Sequence, residues 1–332
     1  MPESHSAEPA PSEPVPTEPV ATEPVPTERA GHLRAIGLAL VVTVLWSSSW
    51  ILIRVGLDDE ELAPLTFAGL RYTLAASVLL AVTASRPSLR RELAGIGPPM
   101  WRRLALLGVV FFTVTQGAQF VAIDSQPAAT SSLMLAPTAF FVALFSARSI
   151  SERSSRRQLV GAALVAIGAA VYFSGDLGAT VIGMTASVIG LSANVTGSLL
   201  GRSVNRSSAL SPILVTVGSM GVGAVLLLVA GLVIEGWPAL TVTVVLIIVW
   251  LAVVNTALAF TLWNRSLRRL AAVESAAINN TMLIQIATLA WVFLGEGPGV
   301  VGVAGILIVS AGTFLTTVST GARRRRPVPS DR

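Results

Sequence analysis

Apolar and polar residues come in long blocks along this chain, not in short alternation. Ten apolar segments cover residues 34–55, 62–83, 103–123, 127–149, 157–174, 179–201, 211–234, 240–264, 270–294 and 299–319. Each is near the ~20 residues that carry a helix across a ~30 Å hydrocarbon layer. Only helices and closed barrels satisfy their backbone in lipid, and these runs lack the in/out alternation of barrel strands. The pattern predicts an all-α integral membrane fold of ten transmembrane helices. Several connections are very short, so consecutive spans run antiparallel as neighbours. Ahead of the first span, residues 1–33 are polar and rich in proline, with glutamate recurring every five residues from Glu3 to Glu28. Proline at this density opposes helix, and there is too little apolar surface to offset the entropy of ordering. The segment reads as a disordered, partly polyproline-II tail. A basic tail, 320–332, follows the last span.

The gaps between segments alternate in charge. All 23 basic side chains are arginine. Asp58, Asp59, Glu60 and Glu61 fill the first gap, and Arg86, Arg90, Arg91, Arg102 and Arg103 the second. Asp124, Asp176, Glu235 and Glu296 then mark gaps without arginine clusters. Arg148 to Arg157, Arg202 with Arg206, Arg265 to Arg269, and Arg323 to Arg326 mark the others. Cytoplasmic loops retain arginine during insertion. The alternation therefore predicts an even number of spans, both termini cytoplasmic, and residence in the cytoplasmic membrane. Apolar sequence begins only after Arg34, so the first span is expected to act as an uncleaved signal anchor.

Composition narrows the chemistry. Hydrophobic residues make up 53% and charged residues 12%, the latter about half of the soluble average of roughly a quarter. The net charge of +5 then reflects contact with inner-leaflet membrane lipid, not with nucleic acid. There is no cysteine, and the two histidines, His5 and His32, lie in or beside the N-terminal tail. That pattern leaves no thiolate site, no Ser-His-Asp triad and no histidine-rich metal site. No cofactor, metal or enzymatic activity is expected. No P-loop is present, so this chain alone does not drive transport with ATP.

The chain also repeats itself. Glu152, Gly161 and Gly168 match Glu296, Gly305 and Gly312 at one constant offset. Pro64 and Pro212 each open a span, and Phe120 and Trp263 fall at equivalent places. The unit is five spans, 34–175 and 176–319. Five is odd, so the second copy inserts inverted relative to the first, the architecture from which alternating access arises. Several stretches resemble the drug/metabolite transporter superfamily, in its EamA-type branch of ten spans. They are Trp46-Ser-Ser-Ser-Trp50 leading to Arg54, Pro64 with Leu70-Arg71-Tyr72, and Ala136-Pro137 with Ser151-Glu152-Arg153. Asn255 through Trp263-Asn264, and Leu294-Gly295-Glu296, complete the set. The resemblance covers residues 34 to 319. It implies a secondary transporter for export or uptake of a small organic metabolite such as an amino acid or related compound, with export the expected direction. The alternative is a channel-like or structural membrane protein without active transport. A ring of like charges or a carbonyl filter would favour a channel, and neither is visible.

Arg71 is the sharpest candidate for substrate binding. About nine residues of helix at 1.5 Å rise place it roughly 13 Å deep, where an arginine costs at least ~2.5 kcal/mol. No carboxylate in any span matches its depth, and the repeat puts Ser219 in the equivalent place. It is either a clamp for a substrate carboxylate or a structural arginine bonded to backbone and amides. Arg54, near the outer end of its span, reads instead as snorkelling to Asp58. Ser47, Ser48, Ser49, Gln116, Gln119, Asn255, Asn279, Asn280 and Gln285 recur at similar depth, with Trp46, Trp50 and Trp263 as aromatic walls. As a set they line a central cavity; taken singly, each also serves to join helices. Pro137 sits mid-span as a hinge or a static kink. Glu274 is the only carboxylate inside a span boundary, a proton entry point or a partner for Arg268 and Arg269. Glycines repeat every seventh residue at Gly161, Gly168 and Gly175, and at Gly183, Gly190 and Gly197. These stripes permit close helix contact, either within one chain or across a homodimer.

Overall fold

The computed structural model describes residues 26–138, 141–142, 145, 156–175, 178–207, 210–267, 270, 278–279 and 281–323. No strand occurs among the described residues. The helices are α1 (Pro26–Asp58), α2 (Pro64–Ala84), α3 (Pro87–Ala94), α4 (Pro98–Ser125), α5 (Ala128–Leu135), α6 (Arg156–Phe173), α7 (Val181–Ser207) and α8 (Pro212–Ile234). Val242–Ala252, a π-helical stretch Val253–Leu258 and Ala259–Leu267 run on without a break as α9. Next come α10 (Met282–Leu294) and α11 (Gly299–Arg323). Residues Gly31–Asp58 of α1, together with α2, α4, Val181–Gly201 of α7 and α8, are long and apolar enough to cross a membrane. Val242–Leu258, Met282–Leu294 and Gly299–Leu315 are shorter apolar helices.

Proline opens α2, α3, α4 and α8, where the missing N–H costs nothing because the first turn has no intrahelical acceptor for it. The same logic corrects the N-terminal boundary. Residues 1–33 read as unstructured, yet α1 begins at Pro26. Pro26 is the last proline before Pro64, so it starts a helix that nothing downstream interrupts. The short helix α3 joins α2 to α4 and lies outside every expected span. The fourth span, expected over 127–149, breaks from regular α geometry at Ala136 and Pro137, and helix resumes at Thr138. Ala136 N–H bonds back three residues to Leu133 O at 3.0 Å, a tightened turn directly before the proline.

Two carboxylates fix how the helices run. Glu235, at the end of α8, accepts from the amides of Leu65 (3.0 Å) and Thr66 (2.7 Å) in the first turn of α2. Glu92, beyond the end of α2, accepts from Ser211 N–H at the start of α8 at 2.5 Å. The two helices are therefore antiparallel: Glu235 caps the first-turn amides of α2, and Glu92 of α3 holds the amide at the start of α8. Helices α6 and α11 are antiparallel too. A Cβ at Gly168 would lie 2.9 Å from Gly305 O, and one at Gly312 would lie 2.7 Å from Gly161 O. The glycine stripe of α7 packs on α4, where Gly183 meets Gln126, Gly190 meets Ala118 and Gly197 meets Phe111. Both stripes thus bring helices together inside the chain. Outside, Val181, Val233, Phe293 and Val300 stand exposed with many other large apolar side chains, an apolar surface suited to lipid.

Candidate functional site

Two π-helical stretches position the polar interior. Val109–Val114 interrupts α4 and Val253–Leu258 interrupts α9. They are separated by the same offset as the paired glycines of α6 and α11, so both halves carry the irregularity at one place. Each widened turn frees carbonyls from the α ladder, and π turns concentrate at functional sites. A threonine takes up one such carbonyl in each half. Thr115 donates to Val110 O at 2.9 Å, and Thr256 donates to Leu251 O at 2.8 Å.

The two halves then diverge. In α4 the π stretch lies flush against α8: Thr113 donates to Gly223 O at 2.8 Å. The Arg71 equivalent, Ser219, is buried and bonded to Val215 O at 2.6 Å within its own helix. In α9 the π stretch faces α1 and α2 with polar groups. Thr256 accepts from Arg71 Nη2 at 3.4 Å. Asn255 donates from Nδ2 to Leu45 O and to Ser48 Oγ, the latter at 3.2 Å. Arg71 is 5% exposed. Its guanidinium carbon stands 5.0 Å from the Tyr72 ring centroid and 5.9 Å from that of Phe120. Its Nε has no hydrogen-bond partner, and no carboxylate pairs with it among the described residues. Asn255 Oδ1 is likewise buried without a partner.

The remaining candidates distribute around this junction. Tyr72 OH donates to Gln116 Oε1 at 2.6 Å, while Gln119 is half-buried about one turn further along α4. Trp46 packs on Phe260 and Trp263, with ring centroids 5.3 and 5.2 Å away. Trp50 is buried in the core with Phe67 and Phe120. Gln285 is engaged on both ends of its amide. It accepts from Ser47 at 3.0 Å and donates to Thr43 at 3.2 Å and Thr281 at 2.9 Å, so it ties α10 to α1. Pro137 is half-buried, and its carbonyl accepts from Phe141 N–H at 3.0 Å. Asn280, Glu274 and Glu152 lie outside the described residues. Sequence reasoning missed Thr256 and Gln126. Gln126 is buried, with Nε2 donating to Ser131 and Ser187 at 3.1 Å each. Thr256 was a polar insertion in an apolar run, and Gln126 one polar residue of the gap between two spans.

An ionic cluster closes one end of the bundle. Arg54 Nε lies 2.7 Å from Asp58 Oδ2 and 3.7 Å from Glu296 Oε1. Its Nη1 donates to the carbonyls of Ile123 and Asp124. Glu296 also accepts from Ala128 N–H at 2.9 Å, capping α5. Burial pushes the Glu296 carboxyl above its usual range. Asp58 acts in the same direction, and the Ala128 and Ala129 amides and Arg54 oppose it. A raised carboxyl pKa means that the folded chain holds this proton more tightly than the unfolded one. The resulting stability is complete below the unfolded value and is lost as pH rises through the folded one. Glu296→Gln keeps a cap acceptor but cannot ionise. Its melting temperature in detergent, relative to the parent's, should therefore rise as pH climbs through that window. A difference that stays flat with pH would contradict the assignment.

Comparison with known proteins agrees with this picture. The family model described as the EamA-like transporter family matches twice, over residues 33–174 and 181–318. A probable amino-acid metabolite efflux pump of Salmonella typhimurium is 28% identical over 86% of this chain and 96% of its own. A probable terminal-alkyne amino-acid exporter of Streptantibioticus cattleyicolor is 29% identical over 89% of this chain and 97% of its own. A solved crystal structure superposes with a TM-score of 0.62 over 89% of this chain and 99% of its own, at 17% identity, which carries the fold alone. With both matched segments spanning nearly all of the apolar sequence, the chain belongs to the EamA-like transporter family, as a multi-pass membrane protein built from two copies of one domain.

Proposed function

We propose that this protein is a secondary transporter that exports a small amino-acid-like metabolite across the cytoplasmic membrane by alternating access. The observation that carries the reading is Arg71: a buried guanidinium at the junction of α2, α4 and the π turn of α9, without a carboxylate partner among the described residues. A protein keeps an uncompensated charge at such depth at considerable cost, and a ligand that supplies the missing anion explains its retention. The Arg71 fork suits a carboxylate, and the relatives bear names of amino-acid efflux pumps and exporters. Ten spans in an inverted five-plus-five arrangement, with both termini cytoplasmic, complete the reading. The antiparallel pairs α2 with α8 and α6 with α11 support it, as does the alternation of arginine along the chain. In this scheme Arg71, Asn255 and Trp46 meet the substrate between the halves. Rocking of one half against the other then exposes that point to each side in turn.

The test is a metabolite comparison of cells and medium with the intact protein, with Arg71→Ala and without either. An amino-acid-class compound should accumulate in the medium only with the intact protein. Equal media in all three cultures across the amino-acid metabolites would overturn the reading. Reporter fusions after Asp124 and Glu235 should report the outside, and a fusion after Arg157 the inside; an inward report at Glu235 would break the inverted arrangement.

A further inference from the structure

The π turn of α9 holds a second idle polar group, one residue from the Thr256 that Arg71 touches. Asn255 is 1% exposed. Its Nδ2 donates to Leu45 O and Ser48 Oγ, and its Oδ1 has no partner. The assignment of oxygen and nitrogen in this amide is not arbitrary. Leu45 O is a carbonyl and only accepts, so turning the amide over would set oxygen against oxygen. Ser48 cannot rescue the acceptor either, because its hydroxyl proton is committed to Leu45 O at 2.8 Å. A buried acceptor without a donor is costly, and this one sits one residue before Thr256, which touches Arg71. The same turn of helix therefore borders a donor lacking its acceptor and an acceptor lacking its donor.

We infer that Asn255 Oδ1 accepts a hydrogen bond from the ammonium group of the substrate while Arg71 holds its carboxylate, so that the site selects free α-amino acids over deaminated acids and decarboxylated amines. The inference rests on the export reading above and goes further, because a carboxylate clamp alone would serve any small organic acid. In an α-amino acid the two charged groups share one carbon, as the two idle groups share one helical junction. Asn255 also reaches α1 at Leu45 and Ser48, which flank the Trp46 that packs on Phe260 and Trp263. An aromatic wall thus stands beside the acceptor, where an apolar side chain would follow the amino-acid head. A neutral amide is the fitting acceptor here: a carboxylate at this position would pair with Arg71 and close the site on itself.

The test uses the purified full-length protein in proteoliposomes. They are loaded with the proteinogenic L-amino acids together with the matching deaminated carboxylic acids and decarboxylated amines, and release is followed by mass spectrometry. The parent should release one or more amino acids in preference to both analogues. Asn255→Leu removes the acceptor at similar size. It should reduce the preference for the amino acid over its deaminated acid by about ten- to hundredfold, the range expected for a lost hydrogen bond to a charged group. Asn255→Asp places a carboxylate that takes up Arg71, so release should shift from both acids towards the amines. Because these are ratios within one preparation, a lower yield of folded variant does not affect them. If Asn255→Leu retains the parent's preference, the ammonium assignment falls and the carboxylate clamp stands. If the parent releases none of the loaded compounds, the export reading itself falls, and the inference with it.

Discussion

Gly223→Ala is expected to destabilise the folded protein by about 1–3 kcal/mol, the range for forcing an extra methyl group into a packed interior. A Cβ at Gly223 would lie 2.2 Å from Gly108 O and 2.7 Å from Gly108 C. Both atoms are backbone, so no side chain can rotate away, and α8 must move off α4. The contact is reciprocal: a Cβ at Gly108 would lie 2.3 Å from Ser219 O. It is also where Thr113 of the π stretch bonds Gly223 O, so the displacement would break that bond as well. Gly221 provides the control within the same helix, since a Cβ there meets nothing within 4 Å. Gly221→Ala should be neutral, or stabilising by up to ~1 kcal/mol through helix propensity. Thermal unfolding of the two variants in detergent separates these cases. Equal midpoints would mean that α4 and α8 do not approach so closely.

Much of this architecture was legible as composition. Helix starts at Pro64 and Pro212, the acidic residues between helices and the paired glycines of α6 and α11 all follow from residue type and spacing, whereas α4 starts at Pro98, five residues ahead of the expected span. The glycine spacing predicted close contact and left the partner helix open. The structure pairs the stripe of α7 with α4 and joins α6 to α11, contacts between residues far apart in the chain. The roles of Glu235 and Glu92 were hidden for the same reason, because each caps a helix more than a hundred residues away. The π turns left no trace in the pattern. Each is a change in backbone hydrogen bonding that residue type does not encode: Val109–Val114 reads like its surroundings, and Val253–Leu258 differs only by Asn255 and Thr256. Of the polar set near mid-depth, sequence alone could not separate groups already satisfied from groups left idle. Gln285 and Gln116 find partners within the chain, whereas Arg71 Nε and Asn255 Oδ1 do not.

The halves differ most where the candidate site lies. Helix α7, the counterpart of α1, carries a glycine stripe. At Gly190, α7 closes against Ala118 of α4. At Trp46, a large ring holds its place among Phe260 and Trp263 of α9. Ser219, the counterpart of Arg71, turns its hydroxyl back onto its own helix. One half is thus sealed by small residues, while the other keeps bulky aromatic and charged groups. Two copies of one domain supply the scaffold, and divergence within it marks the candidate site.

Replacing Arg71 by methionine should abolish export while leaving the protein at least as stable as its parent. As a structural group Arg71 is poorly supported, with one hydrogen bond at 3.4 Å and an unpartnered Nε. Its main support is the Tyr72 and Phe120 rings, and such stacking contributes ~2 kcal/mol when desolvated. Against that stands a cost of at least ~2.5 kcal/mol for an arginine at this depth. Methionine fills similar space without a charge, so the variant should unfold at the parent's temperature or correspond to a gain of up to ~2 kcal/mol. Export should fall by about a hundredfold or more, because the substrate carboxylate would be left unpaired in a buried site. Arg71→Lys keeps the charge but loses the planar fork and the ring stacking, and should fall between methionine and the parent. These expectations run opposite to those for an arginine that only joins helices, where methionine would lower stability and export together. The decisive measurement is therefore the pair of thermal midpoint and export rate on one preparation. A methionine variant that exports at the parent's rate would remove Arg71 from the site.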